Sequence, residues 1–345
     1  MKRIVRLGFL FVIVLLVAAS LWLALTWQTF RQQPLNIAEG GYRVEFPAGS
    51  TVQQLARQLA TDGVLEHPYY LIWLARWKGD DRSLKAGQYQ FEPGTTPEAL
   101  LAKLVAGEVI QYGVTLVEGW TFRQMLAALR PAPHLTQTLD GLDPDAIMER
   151  LGHAGEDPEG RFFPDTYHYP EGMSDLDLLR RAYDTMAAHL EREWAGRAEN
   201  LPYDSPYQAL IMASIVEKET GAAEERPAIA GVFVRRLQKG MLLQTDPTVI
   251  YGLGESFDGN LRRRDLQTDG PYNTYTRAGL PPTPIAMPGL AAIRAALHPD
   301  DGKALYFVAR GDGTHEFSET LTEHNRAVAK FQLRRNRGGT ETATQ

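Results

Sequence analysis

The sequence contains no cysteine among its 345 residues. This absence excludes disulfide bonds, thiolate metal sites, cysteine nucleophiles and lipid attachment through cysteine. The eight histidines include no HExxH motif or other spacing typical of metal ligands, and the GxSxG motif of many serine hydrolases does not occur. We therefore expect neither a metal site nor a cofactor.

The sequence also lacks an excess of positive charge. The formal net charge is −6, and basic residues do not alternate with aromatic ones as they do in RNA-binding modules, so we expect no nucleic-acid partner. With 44% hydrophobic and 23% charged residues, the composition is that of an ordinary globular protein. The length is sufficient for two or three domains.

One long apolar run stands near the N-terminus. Residues 7–27, LGFLFVIVLLVAASLWLALTW, carry no charge and follow Lys2, Arg3 and Arg6. At about 1.5 Å per residue this run is roughly 31 Å long, which matches the ~30 Å hydrocarbon core of a bilayer. A cleaved signal peptide is the alternative, although its apolar core is usually only about 7–15 residues long. We predict a cytoplasmic N-terminus at 1–6, a membrane helix at 7–27 and a chain that continues outside the cytoplasm.

A strand–turn–helix pattern recurs three times after a short polar tether at 28–40. In each copy a threonine stands two positions after a turn glycine and is placed to cap a leucine-containing helix. The copies are VEFPAGSTVQQLARQLA (44–60), YQFEPGTTPEALLAKLV (89–105) and VTLVEGWTFRQMLAALR (114–130). The first copy resembles a LysM module, a peptidoglycan-binding fold, through Gly49-Ser50-Thr51. We predict a LysM-like subdomain at 41–112, then a strand–helix unit and a connector with one short helix at 113–158.

The rest of the chain mixes helices, loops and a hairpin, so the fold class that we predict is α+β. The expected elements are an aromatic-rich loop at 159–172, a helix at 174–197, two helices within 205–240, mostly loop at 241–296, a hairpin at 303–320 and a last helix at 321–334. Together, 159–335 are expected to form a catalytic domain. The tail at 336–345 has no packing pattern.

Two carboxylates end an apolar helix in the segment IMASIVEKETG. Glu217 and Glu219 are two positions apart and point to roughly opposite sides, so periodicity alone does not decide which one faces inward. Burial of such a carboxylate raises its pKa toward the value that a general acid needs. A solvated glutamate at a helix end is the ordinary alternative.

Two loop segments, 241–254 and 269–289, are rich in amides, hydroxyls and flat aromatic rings, which suit sugar recognition. Long irregular loops are uncommon and often functional, although the same residues also populate ordinary turns. The candidate substrate-binding residues in these loops are Gln244, Thr245, Asp246, Tyr251, Tyr272, Asn273, Thr274 and Tyr275.

Several long motifs resemble those of the endolytic murein transglycosylases of the MltG type, also called the YceG-like family. They are FFPDTYHY, ASIVEKET, LQTDPTVIYG, YNTYTRAGLPPTPIAMPG, ALHP and LYFVARGDGTHEFSETLTEHN, and the resemblance covers nearly the whole chain. It implies cleavage of the MurNAc–GlcNAc bond inside glycan strands at the outer face of the inner membrane, beside penicillin-binding proteins, without a cofactor. The catalytic glutamate of the family falls on Glu219, and Asn325 falls near the site.

Two other functions stay open. A muramidase would add water and would need a second carboxylate, for which Asp165 and Asp246 are the candidates. A non-catalytic scaffold would bind glycan through the LysM-like region and hold synthetic enzymes at the membrane. The histidines His315 and His324, and Glu316, have no assigned role.

Overall fold

A computed structural model describes residues 2–333 of the chain, with the side chains of residues 2–7 and 333 left out. The predicted tail at 336–345 lies outside the described residues. Contacts between Cα atoms divide the chain into two compact units. Of the described residues, the first unit contains 2–112 with 169–172, and the second contains 113–168 with 173–333.

The first unit begins with a long helix and continues as two strand–helix segments. Its elements are α1 (Lys2–Gln32), β1 (Tyr42–Phe46), α2 (Val52–Thr61), α3 (Pro68–Lys78), β2 (Gly87–Phe91) and α4 (Pro97–Ala106). The strands β1 and β2 pair antiparallel, with Val44 opposite Tyr89. Both of these residues are buried in a core that includes Leu55, Leu74 and Leu101.

The α1 helix is longer than the sequence predicted. It contains the one helix among the described residues that is long and apolar enough to cross a membrane, Gly8–Gln32. The predicted tether at 28–40 is therefore wrong over its first residues. Helix continues there because Phe30 packs against Tyr70, with ring centroids 5.2 Å apart, and the Arg31 guanidinium pairs with the Glu98 carboxylate at 2.9 Å.

The second unit is mainly helical. A further two-stranded sheet is formed by β3 (Tyr112–Thr115) and β4 (Thr166–Tyr169), of which residues 113–115 and 166–168 belong to this unit. The helices are α5 (Phe122–Leu129), α6 (Pro144–Leu151), α7 (Asp175–Ala195), α8 (Pro206–Glu219), α9 (Arg226–Gln238), α10 (Asp246–Leu253), α11 (Arg263–Gln267) and α12 (Leu290–Leu297). The hairpin β5 (Tyr306–Ala309) and β6 (His315–Ser318) precedes α13 (Leu321–Val328), which continues as a π-helical turn, Ala329–Leu333.

The three predicted capped helices are confirmed. Thr51, Thr96 and Thr121 are the N-caps of α2, α4 and α5, and each side chain accepts a hydrogen bond from the backbone three residues later. The turn glycines have positive φ angles, for example +82° at Gly49 and +89° at Gly94, where a side chain would be strained. The helices at 174–197 and within 205–240, and the hairpin, are also confirmed.

The 159–172 segment is not wholly a loop, because β4 occupies its centre. Leu116, just after β3, donates its backbone N–H to the carbonyl of Asp165 at 2.9 Å, and the hydroxyls of Thr115 and Thr166 are 2.9 Å apart. These pairings join segments about fifty residues apart in sequence, so a local pattern does not reveal them.

Candidate active site

The α8 helix carries the two candidate carboxylates at its C-terminal end. It starts at a Ser205 cap with proline at the first helical position, and every residue from Ala209 to Val216 is buried. Such a helix is apolar on all sides because neighbouring helices surround it, and α12 and α9 pack directly against it. The chain leaves the helix at Thr220, which has extended backbone angles.

Glu217 is held by structural partners. One carboxylate oxygen pairs with the Arg226 guanidinium at 3.2 Å, and the other accepts the backbone N–H of Gly289 at 3.0 Å. The Glu217 side chain is only 6% exposed and that of Arg226 11%. Burial raises the pKa of Glu217, and the Gly289 N–H and the Arg226 charge oppose that rise. This carboxylate joins α8 to α9 and to the segment before α12.

Glu219 lies in a different environment, half-buried beside the loop that precedes α10. Its carboxylate accepts a hydrogen bond from the Thr245 hydroxyl. Burial raises the pKa of Glu219 to about 7; the Thr245 hydrogen bond lowers it, the Asp246 charge raises it and His315 lowers it. A carboxyl group with this pKa can donate a proton and then accept one near neutral pH.

The loop around Thr245 is fixed by hydrogen bonds to a second loop. The Thr245 N–H donates to the Thr274 hydroxyl at 3.1 Å, and the Gln244 N–H donates to the Thr274 carbonyl at 3.1 Å. The Thr248 and Thr274 hydroxyls are 2.9 Å apart. Gln244 has a φ of +51°, a region sparsely occupied by residues other than glycine. The two predicted sugar-binding loops are thus brought together next to Glu219.

The two loops present both exposed and buried polar groups. Gln244 and Asp246 are exposed, and the Asp246 carboxylate accepts the Tyr275 hydroxyl at 2.5 Å. Thr245 and Thr274 are buried, at 2% and 3% exposure. Exposed and half-buried groups beside Glu219 are available to a ligand, whereas the buried threonines hold the loops in place.

Asn273 is buried and fully engaged with the protein backbone. Its side-chain N–H groups donate to three carbonyls, those of Asp265, Leu266 and Thr268, and its side-chain oxygen accepts the Tyr275 N–H at 2.9 Å. This arrangement shapes the loop that carries Tyr275.

Glu159 is a buried carboxylate that the sequence analysis did not single out. It is 5% exposed, and it accepts the Phe122 N–H at 3.0 Å and the Tyr251 hydroxyl at 3.1 Å. Burial raises its pKa to about 7. The Tyr251 ring in turn meets the Tyr272 ring edge-on, with centroids 4.9 Å apart. The sequence signal that could have identified Glu159 is its position directly before a glycine, at the start of the aromatic-rich EGRFFPD segment.

The hairpin contributes a histidine to the surroundings of Glu219. The His315 ring nitrogen Nδ1 lies 2.7 Å from one Glu225 oxygen, and the His315 backbone N–H donates to the other at 2.9 Å. Glu225 thereby fixes the ring of the histidine that lowers the pKa of Glu219. Glu316 pairs instead with Arg310 at 2.7 Å.

Three other candidates are not joined to Glu219 by the hydrogen bonds of the described residues. Asn325 is exposed on α13. His324 stacks on Tyr306, with centroids 5.3 Å apart, and burial lowers its pKa. Asp165 is exposed and accepts the Thr166 N–H in a local turn. Among residues 2–333, no group of three or more acidic or histidine side chains has the geometry to hold a metal ion.

Comparison with known proteins identifies the family. The model of the YceG-like family matches residues 44–330. The chain belongs to the YceG-like family. A Bacillus subtilis protein named endolytic murein transglycosylase is 32% identical over 311 residues, which cover 85% of each chain. A Streptococcus pneumoniae protein of the same name is 28% identical over 83% of this chain and 58% of its own length.

The fold of this YceG-like protein is shared with a crystal structure. A yceG-like protein from Listeria monocytogenes superposes with a TM-score of 0.53 at 29% identity, covering 84% of this chain and 99% of that one. The mixed helical and sheet architecture is therefore that of the family.

Proposed function

We propose that this protein is a membrane-anchored endolytic lytic transglycosylase of peptidoglycan, with Glu219 as its catalytic residue. It would cut the MurNAc–GlcNAc bond within glycan strands and leave a 1,6-anhydro-MurNAc end. The relatives named endolytic murein transglycosylase support the activity. The observation that carries the assignment of the residue is the position of the Glu219 carboxyl, which is half-buried, accepts the Thr245 hydroxyl and lies beside the exposed Asp246. The raised pKa of about 7 suits the same role.

One carboxyl group is sufficient for this reaction. Protonated Glu219 gives its proton to the glycosidic oxygen as the bond to C1 of MurNAc breaks, and the acetamido group of the same sugar stabilises the cation. The ionised Glu219 then takes the proton of the C6 hydroxyl as the oxygen of that hydroxyl bonds to C1. The proton returns to the enzyme and no water is consumed. General acid–base catalysis of this kind contributes about 10²–10⁴-fold.

Thr245 assists the ionised state between the two steps. Its hydroxyl donates to the Glu219 carboxylate, and this hydrogen bond favours the charged form. We assign substrate contact to the groups beside Glu219 that remain accessible, Gln244, Asp246 and Tyr275, and we keep Tyr251, Tyr272 and Asn325 as further candidates. Asn273 and Thr274 act by holding the loops.

We further propose that α1 anchors the enzyme in the inner membrane as a single span, with the N-terminus in the cytoplasm and the second unit in the periplasm. The exposed apolar run and the preceding basic residues support this orientation. The LysM-like region of the first unit would contact glycan, and penicillin-binding proteins are the partners that the family implies.

The products of purified peptidoglycan sacculi distinguish this function from its alternatives. Mass spectrometry should find products one water lighter than hydrolysed muropeptides. Reducing ends would instead identify a muramidase, with Asp246 as its second carboxylate because its charge acts on Glu219. Binding without soluble products would identify a scaffold.

The Glu219→Gln variant tests the residue in the same assay. It should lose about 10²–10⁴-fold of the activity while keeping its thermal unfolding temperature. An active Glu219→Gln enzyme would refute the assignment.

A further inference from the structure

The first unit exposes a line of aromatic side chains on α3. Tyr69, Trp73 and Trp77 are 73%, 55% and 66% exposed, and their four-residue spacing places them on one face of the helix. The opposite face, with Leu71, Leu74 and Ala75, is buried in the core of the unit. Large exposed aromatic rings in a row usually mark an interaction surface. We call these three residues the aromatic stripe.

The aromatic stripe continues into the apolar surface of α1. Trp73 and Trp77 border a groove of about 410 Å³ whose other wall includes Leu23, Ala24 and Trp27 of α1. Leu23 and Ala24 belong to the charge-free apolar run of the sequence. The two tryptophans therefore lie beside the segment of α1 that we propose to be in the membrane, and not beyond its end.

Distances along α1 give the depth of this groove. Leu23 lies 16 residues after Leu7, where the charge-free apolar run of the sequence begins, which is about 24 Å along the helix axis. This is less than the ~30 Å thickness of the hydrocarbon core. The groove continues along α1 to Trp27, about 30 Å after Leu7, so it lies at the far edge of the core, next to the interface where tryptophan and tyrosine are enriched in membrane proteins.

The α1 and α3 helices are held together firmly enough to keep this level. Trp27 meets the Tyr70 ring with centroids 6.5 Å apart. Arg31 lies over Trp77 at 5.2 Å and pairs with Glu98, which also pairs with Lys78 at 2.7 Å. Because α1 runs as one helix to Gln32, no flexible linker separates the apolar run from these contacts.

We propose that the aromatic stripe of α3 is a second membrane contact, with Trp73 and Trp77 in the interfacial layer of the bilayer that α1 crosses. This inference rests on the proposed anchoring of α1. The exposed Arg76 at the end of α3 faces the same layer, where basic groups meet anionic lipid headgroups. The first unit would then lie on the membrane surface instead of extending away from it.

The absence of cysteine makes a depth measurement direct. Single substitutions Trp73→Cys and Trp77→Cys in the full-length protein, each carrying a nitroxide spin label, would be reconstituted in vesicles of phosphatidylethanolamine and phosphatidylglycerol. Leu16→Cys, at an α1 position that is 62% exposed, is the membrane control. Gln58→Cys, at an exposed position on α2, is the water control. The readout is the collision of each label with oxygen and with a water-soluble nickel chelate.

The inference predicts labels at 73 and 77 that collide with the nickel chelate several-fold less than the label at 58, and with oxygen more. Labels at 73 and 77 as water-accessible as the label at 58, with position 16 protected, would overturn the inference and leave the anchor intact. Water access at position 16 as well would overturn both. Protection at 73 and 77 that appears only after glycan fragments are added would overturn it in favour of a glycan surface.

Discussion

The proposed role of Glu219 as the general acid predicts how the reaction depends on pH. Its pKa of about 7 means that the proton-donating form is full below pH 6 and about half-populated at pH 7. Only about a tenth of the enzyme remains protonated at pH 8 and about a hundredth at pH 9. If protonated Glu219 starts the reaction, kcat/KM should fall about tenfold per pH unit above neutrality.

Two substitutions should shift this fall of kcat/KM, the alkaline limb of the pH profile, in opposite directions. Thr245→Val keeps the shape of the side chain but removes the hydroxyl that favours the ionised carboxylate, so the limb should move to higher pH. Asp246→Asn removes a negative charge that opposes ionisation, so the limb should move to lower pH. Opposite shifts are hard to obtain from a general loss of structure.

The assay is the initial rate of release of soluble products from sacculi by the full-length enzyme between pH 5.5 and 9, with buffers of constant ionic strength. Pelleting of the enzyme with sacculi at each pH separates binding from catalysis. A rate that is constant through pH 7–9, or a limb that both substitutions shift in the same direction, would refute the role of Glu219 as the acid.

Replacement of the buried carboxylates Glu217 and Glu159 should change the stability of the protein. Glu217→Gln leaves Arg226 as an unpaired buried charge and should lower the free energy of unfolding by about 3–5 kcal/mol, which urea unfolding would measure; an unchanged midpoint would contradict the structural role. Glu159 has a pKa raised to about 7, so its contribution to stability is full below about pH 4.5 and lost as the pH rises to about 7, by an amount of about 3 kcal/mol. Glu159→Gln should therefore flatten the decline in stability over pH 4.5–7, and a decline as steep as that of the wild type would contradict this account. Because the variant also loses the carboxylate that holds Tyr251, it should raise KM more than it lowers kcat.

Local sequence signals predicted the elements that local interactions determine. The capped helices follow from threonine and glycine a few residues apart, and the hairpin from its Gly-Asp-Gly turn, because their hydrogen bonds join near neighbours. The end of α1 could not be predicted in this way. Its last turn is helical because Arg31 meets Glu98, 67 positions later, and the polar composition at 28–40 carried no sign of that contact.

The choice between Glu217 and Glu219 also depends on distant partners. The α8 helix is buried on all sides, so the spacing of its apolar residues does not indicate which of the two glutamates faces inward. Glu217 differs because Gly289 and Arg226 bind it, and Glu219 differs because Thr245 lies beside it. The sequence analysis reached Glu219 only through resemblance to a family.

Asn273 illustrates the limit of reading chemistry from residue type. An asparagine in a long loop is typical of a sugar-binding group and equally of a turn. Here its amide bonds to three backbone carbonyls and to the Tyr275 N–H, and it is 5% exposed. A side chain with all of its hydrogen-bonding groups engaged with the backbone has none left for a ligand.

Replacement of this residue separates the two roles. Asn273→Ala removes these bonds and leaves buried backbone groups unpaired, so the free energy of unfolding should fall by about 1–3 kcal/mol, with a loss of activity that follows the misplaced loop. Tyr275→Phe is the matched control, because it removes only the hydroxyl that donates to the exposed Asp246 carboxylate and should leave the unfolding midpoint nearly unchanged. If Asn273→Ala instead unfolded like the wild type and only raised KM, the amide would be a substrate ligand, and the loop would have to be held by the buried threonines alone.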